Sequence, residues 1–104
     1  MHAKALLNLK TALLIAEREN GLSELNEVER MLIYGALDVA DGNHEFLSED
    51  LRSNQLVESF PHATYHRALK KLLQDGFFVR AKGSLRNRYK LVFHTSKSNN
   101  QVGT

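Results

Sequence analysis

The chain contains no cysteine and only one proline. Without cysteine it forms no disulfide, carries no thiolate nucleophile and offers no cysteine ligands to zinc or an iron–sulfur cluster. No apolar run approaches the roughly 20 residues that a membrane-spanning helix needs. The N-terminal stretch is interrupted by Asn8, Lys10 and Thr11, unlike the apolar segment of a secretory signal. These absences favour a cytoplasmic protein.

Catalytic and cofactor motifs are also absent from the sequence. There is no P-loop, no glycine-rich dinucleotide motif and no nucleophile elbow around any serine. His62 and His66 have the i, i+4 spacing of some metal sites, but residue 63 is alanine and no third ligand is evident. Asp38, Asp41 and Glu45 are better explained as a solvated helix end than as a cation site. We expect no enzymatic activity, no cofactor and no metal.

The length of 104 residues suits one domain with one hydrophobic core. The apolar fraction of 42% and the charged fraction of 25% are ordinary for a globular protein. We assign residues 1–94 to a single domain. Residues 95–104 contain one apolar residue, Val102, and are expected to form a disordered tail.

Charge is distributed unevenly along the chain. Residues 1–60 hold five basic and eleven acidic residues, a net charge of −6. Residues 61–104 hold nine basic residues and one acidic residue, a net charge of +8. A basic segment of this kind indicates a surface for a polyanion. The simpler alternative is a solvated surface that happens to be basic.

The spacing of apolar residues predicts most of the secondary structure. The expected elements are a helix over 3–19, a helix from the N-cap Ser23 to the break at 41–43, a short helix from the N-cap Ser48 to Arg52, a helix over 61–75, and strands over 77–81 and 89–93 around a polar turn at 82–88. Residues 44–47 form a loop or a small edge strand. Residues 54–60 either continue a helix or pack as a turn.

The helix at 61–75 has two distinct faces. At about 100° per residue, its apolar residues cluster on one side. Tyr65 belongs to this side and is expected to pack in the core. The opposite side carries Ala63, Arg67, Lys70 and Gln74. A helix with cations and hydrogen-bonding side chains on its outer face fits the major groove of DNA, where arginine and glutamine bind base edges.

The order of elements is that of a winged helix-turn-helix, an α+β and mostly helical fold, here with an extra N-terminal helix and a C-terminal β-hairpin wing. We expect sequence-specific binding of double-stranded DNA, with the helix at 61–75 in the major groove and the wing at 82–88 on the backbone or in the minor groove. The candidate DNA-binding residues are His62, Ala63, Thr64, His66, Arg67, Lys70, Lys71, Lys82, Arg86 and Arg88.

Several segments resemble MarR-type winged-helix regulators. They are Leu22–Leu25, Leu47–Leu51, the run Ala63-Thr64-Tyr65-His66-Arg67-Ala68-Leu69-Lys70-Lys71-Leu72, Gly76-Phe77, Arg80 and Arg88. The resemblance spans roughly residues 5–93. It implies a homodimer that reads a pseudo-palindromic operator, often as a repressor. By motif position, Thr64 and Arg67 correspond to recognition-helix contacts and Arg88 to the arginine of the wing.

Two features depart from that family. The connection from Leu51 to Pro61 is longer than the family's tight turn. The sequence also lacks the C-terminal helices that such regulators use to dimerise and to form an effector pocket, so we carry over no small-molecule effector. Dimerisation then depends on the helix at 3–19, whose leucines cover more surface than one core contact needs. The alternative is that this helix only caps the core.

Two other functions fit the same pattern. A winged helix can also serve as a protein–protein module in which the basic helix binds an acidic partner, because a fold does not determine a function. A DNA-binding protein of replication or plasmid maintenance would have the same surface and differ in its operator. A transcriptional regulator is the function that the sequence favours.

Overall fold

The computed structural model describes residues 3–83 and 87–93. These residues form mainly helices with one small antiparallel sheet, so the expected α+β class is confirmed. The elements are α1 (Ala3–Glu19), α2 (Glu27–Val39), β1 (Glu45–Leu47), α3 (Ser48–Arg52), α4 (His62–Gln74), β2 (Phe78–Arg80) and β3 (Arg88–Leu91). The predicted tail at 95–104 lies outside the described residues.

The chain divides into two compact units. One unit holds α1, and the other, Asn26–Val92, holds the six remaining elements. The single domain predicted over residues 1–94 stays a prediction. Helix α1 has the predicted bounds, and all its residues are exposed except the half-buried Ala5 and the buried Glu17.

Helix α2 begins later than the sequence pattern suggested, and the assignment of Ser23 as its N-cap was wrong. Its N-cap is Asn26, whose Oδ1 accepts a hydrogen bond of 2.8 Å from the backbone N–H of Glu29. The backbone N–H of Asn26 donates to Glu29 Oε1 at 2.9 Å. Such a reciprocal capping box needs Glu or Gln three residues after the cap. Ser23 has Asn26 at that position, so only Asn26 can complete the box.

The start of α3 also differs from expectation. Ser48 is its first helical residue, and Leu47 occupies the N-cap position without a side-chain hydrogen bond. Leu47 pairs with Arg88 in the sheet, so the helix follows directly from strand β1 and leaves no separate capping residue. Residues 53–60 form turns, which decides between the two alternatives left open for residues 54–60.

The sheet has the order β1–β3–β2, with both pairings antiparallel. The predicted hairpin is present, although β2 and β3 are shorter than the predicted strands. Residues 45–47 form the edge strand that was one of two alternatives, with Phe46 opposite Tyr89. Side chains alternate across β3, so Tyr89 and Leu91 are buried while Lys90 is exposed on the other face.

The core of the unit Asn26–Val92 lies between this sheet and helices α2 and α4. Phe46 contacts Phe78 edge-on at a centroid distance of 5.0 Å and Tyr89 at 6.0 Å. Helix α4 contributes the apolar face expected from its sequence, and α2 contributes a second apolar face. Their buried apolar side chains are Leu32, Ile33 and Ala36 of α2 and Tyr65, Ala68, Leu69 and Leu72 of α4.

Gly35 lets α2 pack closely on the segment that connects α3 to α4. A Cβ atom at this position would lie 2.9 Å from Val57 Cγ2 and 3.0 Å from Leu51 Cδ1. Both of these neighbours are fully buried, so neither can move aside into solvent. The absence of a side chain on Gly35 therefore sets the distance between α2 and this segment.

Gly35→Val should lower the free energy of unfolding by about 2–3 kcal/mol, because it overfills a close-packed contact. Gly42→Val is the matched control, since nothing lies within 4 Å of a Cβ at Gly42. Urea denaturation of the two variants and the parent measures the difference. Equal stabilities of the two variants would contradict the close approach.

Candidate nucleic-acid interface

Arg52, the last residue of α3, fixes the beginning of α4. Its Nη1 donates to the carbonyl oxygen of Val57 at 3.2 Å and its Nη2 to that of Phe60 at 2.9 Å. The same guanidinium lies over the Tyr65 ring, 4.7 Å from the centroid. One side chain thus joins the end of α3, the connecting turns and the first turn of α4.

Asn54 organises the same connection from the inside. Its buried amide donates to Asp38 Oδ2 at 2.7 Å, and its Oδ1 accepts from the backbone N–H of Leu56 at 3.0 Å. The backbone oxygen of Asn54 accepts from the N–H groups of Val57 and Glu58. The connection between α3 and α4 is long, yet the hydrogen bonds of Arg52 and Asn54 hold it in a defined conformation.

The outer face of α4 is defined here as Ala63, Arg67, Lys70 and Gln74. All four residues are exposed, as the helical periodicity predicts. Within residues 3–83 and 87–93, the side chains of Arg67 and Lys70 form no hydrogen bond or ion pair. These two positive charges are therefore available to a partner.

Lys71 differs from these two cations. Its Nζ forms an ion pair with Asp75, and the hydrogen bond between them is the main cause that raises the pKa of Lys71. Glu29 contributes a further negative charge nearby. An exposed pair of this type is weak and exchanges readily, so Asp75 lowers the net positive charge around Lys71 but leaves its ammonium accessible.

Two shallow grooves flank the outer face of α4. One, of about 320 Å³, lies where Thr64, Arg67 and Lys71 meet the capping box of α2. The other, of about 300 Å³, has His66 on its α4 side and Ser48, Glu49 and Asn87 among its other walls. Asn87 directly precedes β3, so the turn end of the β2–β3 hairpin lies beside α4.

His62 and His66 are both exposed, and their ring centroids are 4.2 Å apart. Slight desolvation and the charges of His62 and Arg52 lower the pKa of His66. In the part of the chain that the structure describes, no third ligand completes a metal site around them. The two imidazoles are tilted against each other at 59° on the exposed surface of α4, and His66 is the neighbour of Arg67 in the sequence.

Arg88 is bound by two carboxylates. Its Nε donates to Glu45 Oε1 and its Nη2 to Asp41 Oδ2, each at 2.7 Å. Asp41 also accepts the backbone N–H groups of Asn43 and Glu45 through Oδ1. These contacts join the loop before β1 to β3 and neutralise the guanidinium. The ion pairs reduce the net positive charge around Arg88, and its assignment as the wing arginine stays a prediction.

All the other candidate contacts except Arg86 lie within the residues that the structure describes. His62, Ala63, Thr64, His66, Arg67, Lys70 and Lys71 all lie on α4 and away from its most buried stripe. Lys82 is exposed just after β2. Arg86 lies outside the described residues.

Sequence reasoning missed four residues that shape this surface: Asp41, Glu45, Arg52 and Asn54. Asp38 and Asp41 are exposed at the end of α2, as the interpretation as a solvated helix end expects, but the sequence did not indicate that Asp41 and Glu45 bind Arg88. That arginine follows them by more than 40 residues. Arg52 gave no signal in the sequence, since its partners are backbone carbonyls and a ring face.

The chain matches no protein-family model, no curated protein and no solved structure. None of the helices within residues 3–83 and 87–93 combines the length and the apolar character needed to traverse a lipid bilayer.

The Asp41 carboxylate should make the stability of the fold sensitive to acid. Hydrogen bonds from the N–H groups of Glu45 and Asn43, with a smaller effect of Arg88, lower the pKa of Asp41 below its ordinary value of 3.8. A lowered pKa in the folded state contributes stability that is complete above the unfolded pKa and is lost as pH falls through the folded pKa. Chemical denaturation between pH 6 and pH 2 measures this loss.

In the Asp41→Asn variant, the free energy of unfolding should fall less steeply below pH 4 than in the parent. The control is Asp50→Asn, at an exposed position on α3, which should show the same acid dependence as the parent. An unaltered acid dependence in Asp41→Asn would contradict the assigned network.

Proposed function

We propose that the unit Asn26–Val92 is a winged-helix module that binds double-stranded DNA and acts as a transcriptional regulator. In this proposal α4 is the recognition helix and the β2–β3 hairpin is the wing. The observation that carries the proposal is the outer face of α4, where Arg67 and Lys70 are exposed and unpaired within the described residues.

The dimensions of α4 support this use. Its 13 residues give a rod of about 20 Å, and an α-helix fits the width of the major groove. Ala63, at the N-terminal end of the outer face, has no bulk to hold the helix away from base edges. Arg67 can form a bidentate contact with guanine, and Gln74 can form one with adenine.

The surroundings of α4 supply backbone contacts. Lys82 follows β2 at the turn end of the hairpin, and Asn87 at the same end lines a groove together with His66. Lys70, Lys71, Lys82 and Arg86 are therefore assigned to phosphates, with Arg86 assigned from the sequence alone. Phosphate contacts orient a protein on the duplex and make its affinity depend on salt.

Arg67→Ala should weaken binding to a preferred duplex by about 1–3 kcal/mol, the energy of one bidentate base contact. Lys70→Ala should reduce the slope of log affinity against log salt by about one, as expected for a lost phosphate contact. Fluorescence anisotropy with a duplex selected from a random pool measures both quantities.

Lys90→Ala is the control, because Lys90 lies on the face of the sheet opposite Tyr89 and Leu91. Its affinity and salt slope should equal those of the parent. If the parent chain binds no duplex at low salt but binds an acidic protein, the DNA proposal is wrong. That result would favour a protein-interaction module.

Duplex affinity should also rise by about tenfold as pH falls from 8 to 5.5. Phosphates near α4 should raise the pKa of His66, which desolvation and Arg52 lower in the free protein, so binding takes up a proton. One pKa unit of coupling corresponds to about 1.4 kcal/mol. Glu49 and Arg52 line the same groove as His66. Arg52 lowers the pKa of His66, and Glu49 carries the opposite charge. The double variant His62→Gln, His66→Gln should bind with no such rise.

His44→Asn is the control and should keep the rise in duplex affinity at low pH, because it leaves α4 unchanged. Asparagine tolerates the positive φ of 62° at that position. A pH dependence that survives in the double histidine variant would contradict this role for the imidazoles.

A further inference from the structure

The groove of about 300 Å³ between α3 and α4, here the α3–α4 groove, is rich in hydrogen-bond donors. The side chains with donor groups in its lining are Ser48, Arg52, Tyr65, His66 and Asn87. Glu49, exposed on α3, supplies the only carboxylate among the described residues of the lining. Because donors outnumber acceptors, the groove favours an anionic ligand.

The guanidinium of Arg52 brings an uncompensated positive charge to this groove. Its hydrogen bonds go to two uncharged carbonyl oxygens, and within residues 3–83 and 87–93 no carboxylate forms an ion pair with it. These two bonds occupy two of the five N–H groups of an arginine, so three remain for another partner. A half-buried charge is stabilised when a ligand of opposite charge lies beside it.

The Tyr65 hydroxyl is a buried donor without a partner. Tyr65 lines the α3–α4 groove and is only 2% exposed, and no atom of the described chain accepts a hydrogen bond from its hydroxyl. Burial raises the pKa of this phenol, so it stays protonated at neutral pH and keeps a proton to donate. An unsatisfied buried hydroxyl costs free energy, which an acceptor atom in the groove would recover.

We propose that the α3–α4 groove binds the phosphate group of a small phosphate monoester. Arg52 supplies the positive charge, and the hydroxyls of Ser48 and Tyr65 donate hydrogen bonds to the phosphate oxygens. The organic part of the molecule lies against Leu69 and the Tyr89 ring, which also line the groove. A phosphate monoester has three terminal acceptor oxygens, whereas a carboxylate and a phosphodiester each have two, so the monoester matches the donor-rich lining best.

Access to the Tyr65 hydroxyl requires His66 to turn outward. The exposed His66 ring packs edge-on against the Tyr65 ring, with 5.0 Å between the ring centroids. Exposed side chains change rotamer within nanoseconds, so this contact is no lasting barrier to a ligand. The site does not depend on the proposed DNA binding, and its first test contains no DNA.

Titration of the isotope-labelled full chain with phenyl phosphate, at neutral pH and constant ionic strength, tests the site. Saturable amide shifts are expected at Ser48, Arg52 and His66. Tyr65→Phe and Ser48→Ala should each bind phenyl phosphate about tenfold more weakly, the usual effect of losing one hydrogen bond to a charged group. The matched control is Ser53→Ala, which should bind like the parent, because Ser53 Oγ donates to backbone oxygens of α3 and the residue does not line the groove.

Two variants separate ligand binding from folding. Tyr65→Phe removes no hydrogen bond of the described residues, so its free energy of unfolding should not fall below that of the parent. Glu49→Gln should bind phenyl phosphate about threefold more tightly, because it removes a negative charge from the lining. A damaged fold cannot produce such a gain.

Two further probes test the chemical class of the ligand. Benzoate and the diester methyl phenyl phosphate should each bind about tenfold more weakly than phenyl phosphate, because each has one terminal oxygen fewer. The proposal is overturned if the parent shows no saturable shifts, or if Tyr65→Phe and Ser48→Ala bind like the parent. Equal binding of the diester, together with displacement of phenyl phosphate by a DNA duplex, would assign the groove to a strand backbone and also overturn it.

Discussion

The contact between the Arg52 guanidinium, two loop carbonyls and the Tyr65 ring determines where α4 lies. The residues that connect α3 to α4 form turns without regular secondary structure, and a connection of this kind has many alternative conformations. Arg52 restricts it by binding the carbonyl oxygens of Val57 and Phe60. With Asn54 and the close approach at Gly35, it converts an irregular segment into a fixed link. Together with the packing of Tyr65, Ala68, Leu69 and Leu72 into the core, this link fixes the direction of the exposed face of α4.

The uneven charge of the sequence does not persist as two separate regions in space. Carboxylates from the acidic part of the chain bind cations from the basic part: Asp41 and Glu45 hold Arg88, and Glu29 lies near Lys71. These contacts neutralise some of the positive charge counted from the sequence. Arg67 and Lys70 keep theirs, because the residues opposite them on the helix pack into the core and no acidic side chain of the described residues reaches them. The net charge of a segment is thus a poor measure of the charge that its surface presents.

Local patterns predicted the helices and the two faces of α4 well. Tyr65, Ala68, Leu69 and Leu72 are buried at the positions that a period of 3.6 residues requires, and α1 has its predicted bounds. Features that depend on distant residues were missed. Strand β1 is stable as an edge strand only because β3 pairs with it, and the ion pairs of Arg88 cross more than 40 residues. The N-cap of α2 depends on a local feature, the residue three positions after the cap, which is Glu29 for Asn26 and only Asn26 for Ser23.

The most direct test of the account is to follow the backbone amides of the isotope-labelled chain by NMR while a selected DNA duplex is added. The account predicts that the largest shifts occur at Ala63, Arg67 and Lys70, with smaller shifts near Lys82 and none at Lys90. Shifts concentrated on the exposed face of the sheet or on α1, with α4 unaffected, would contradict it.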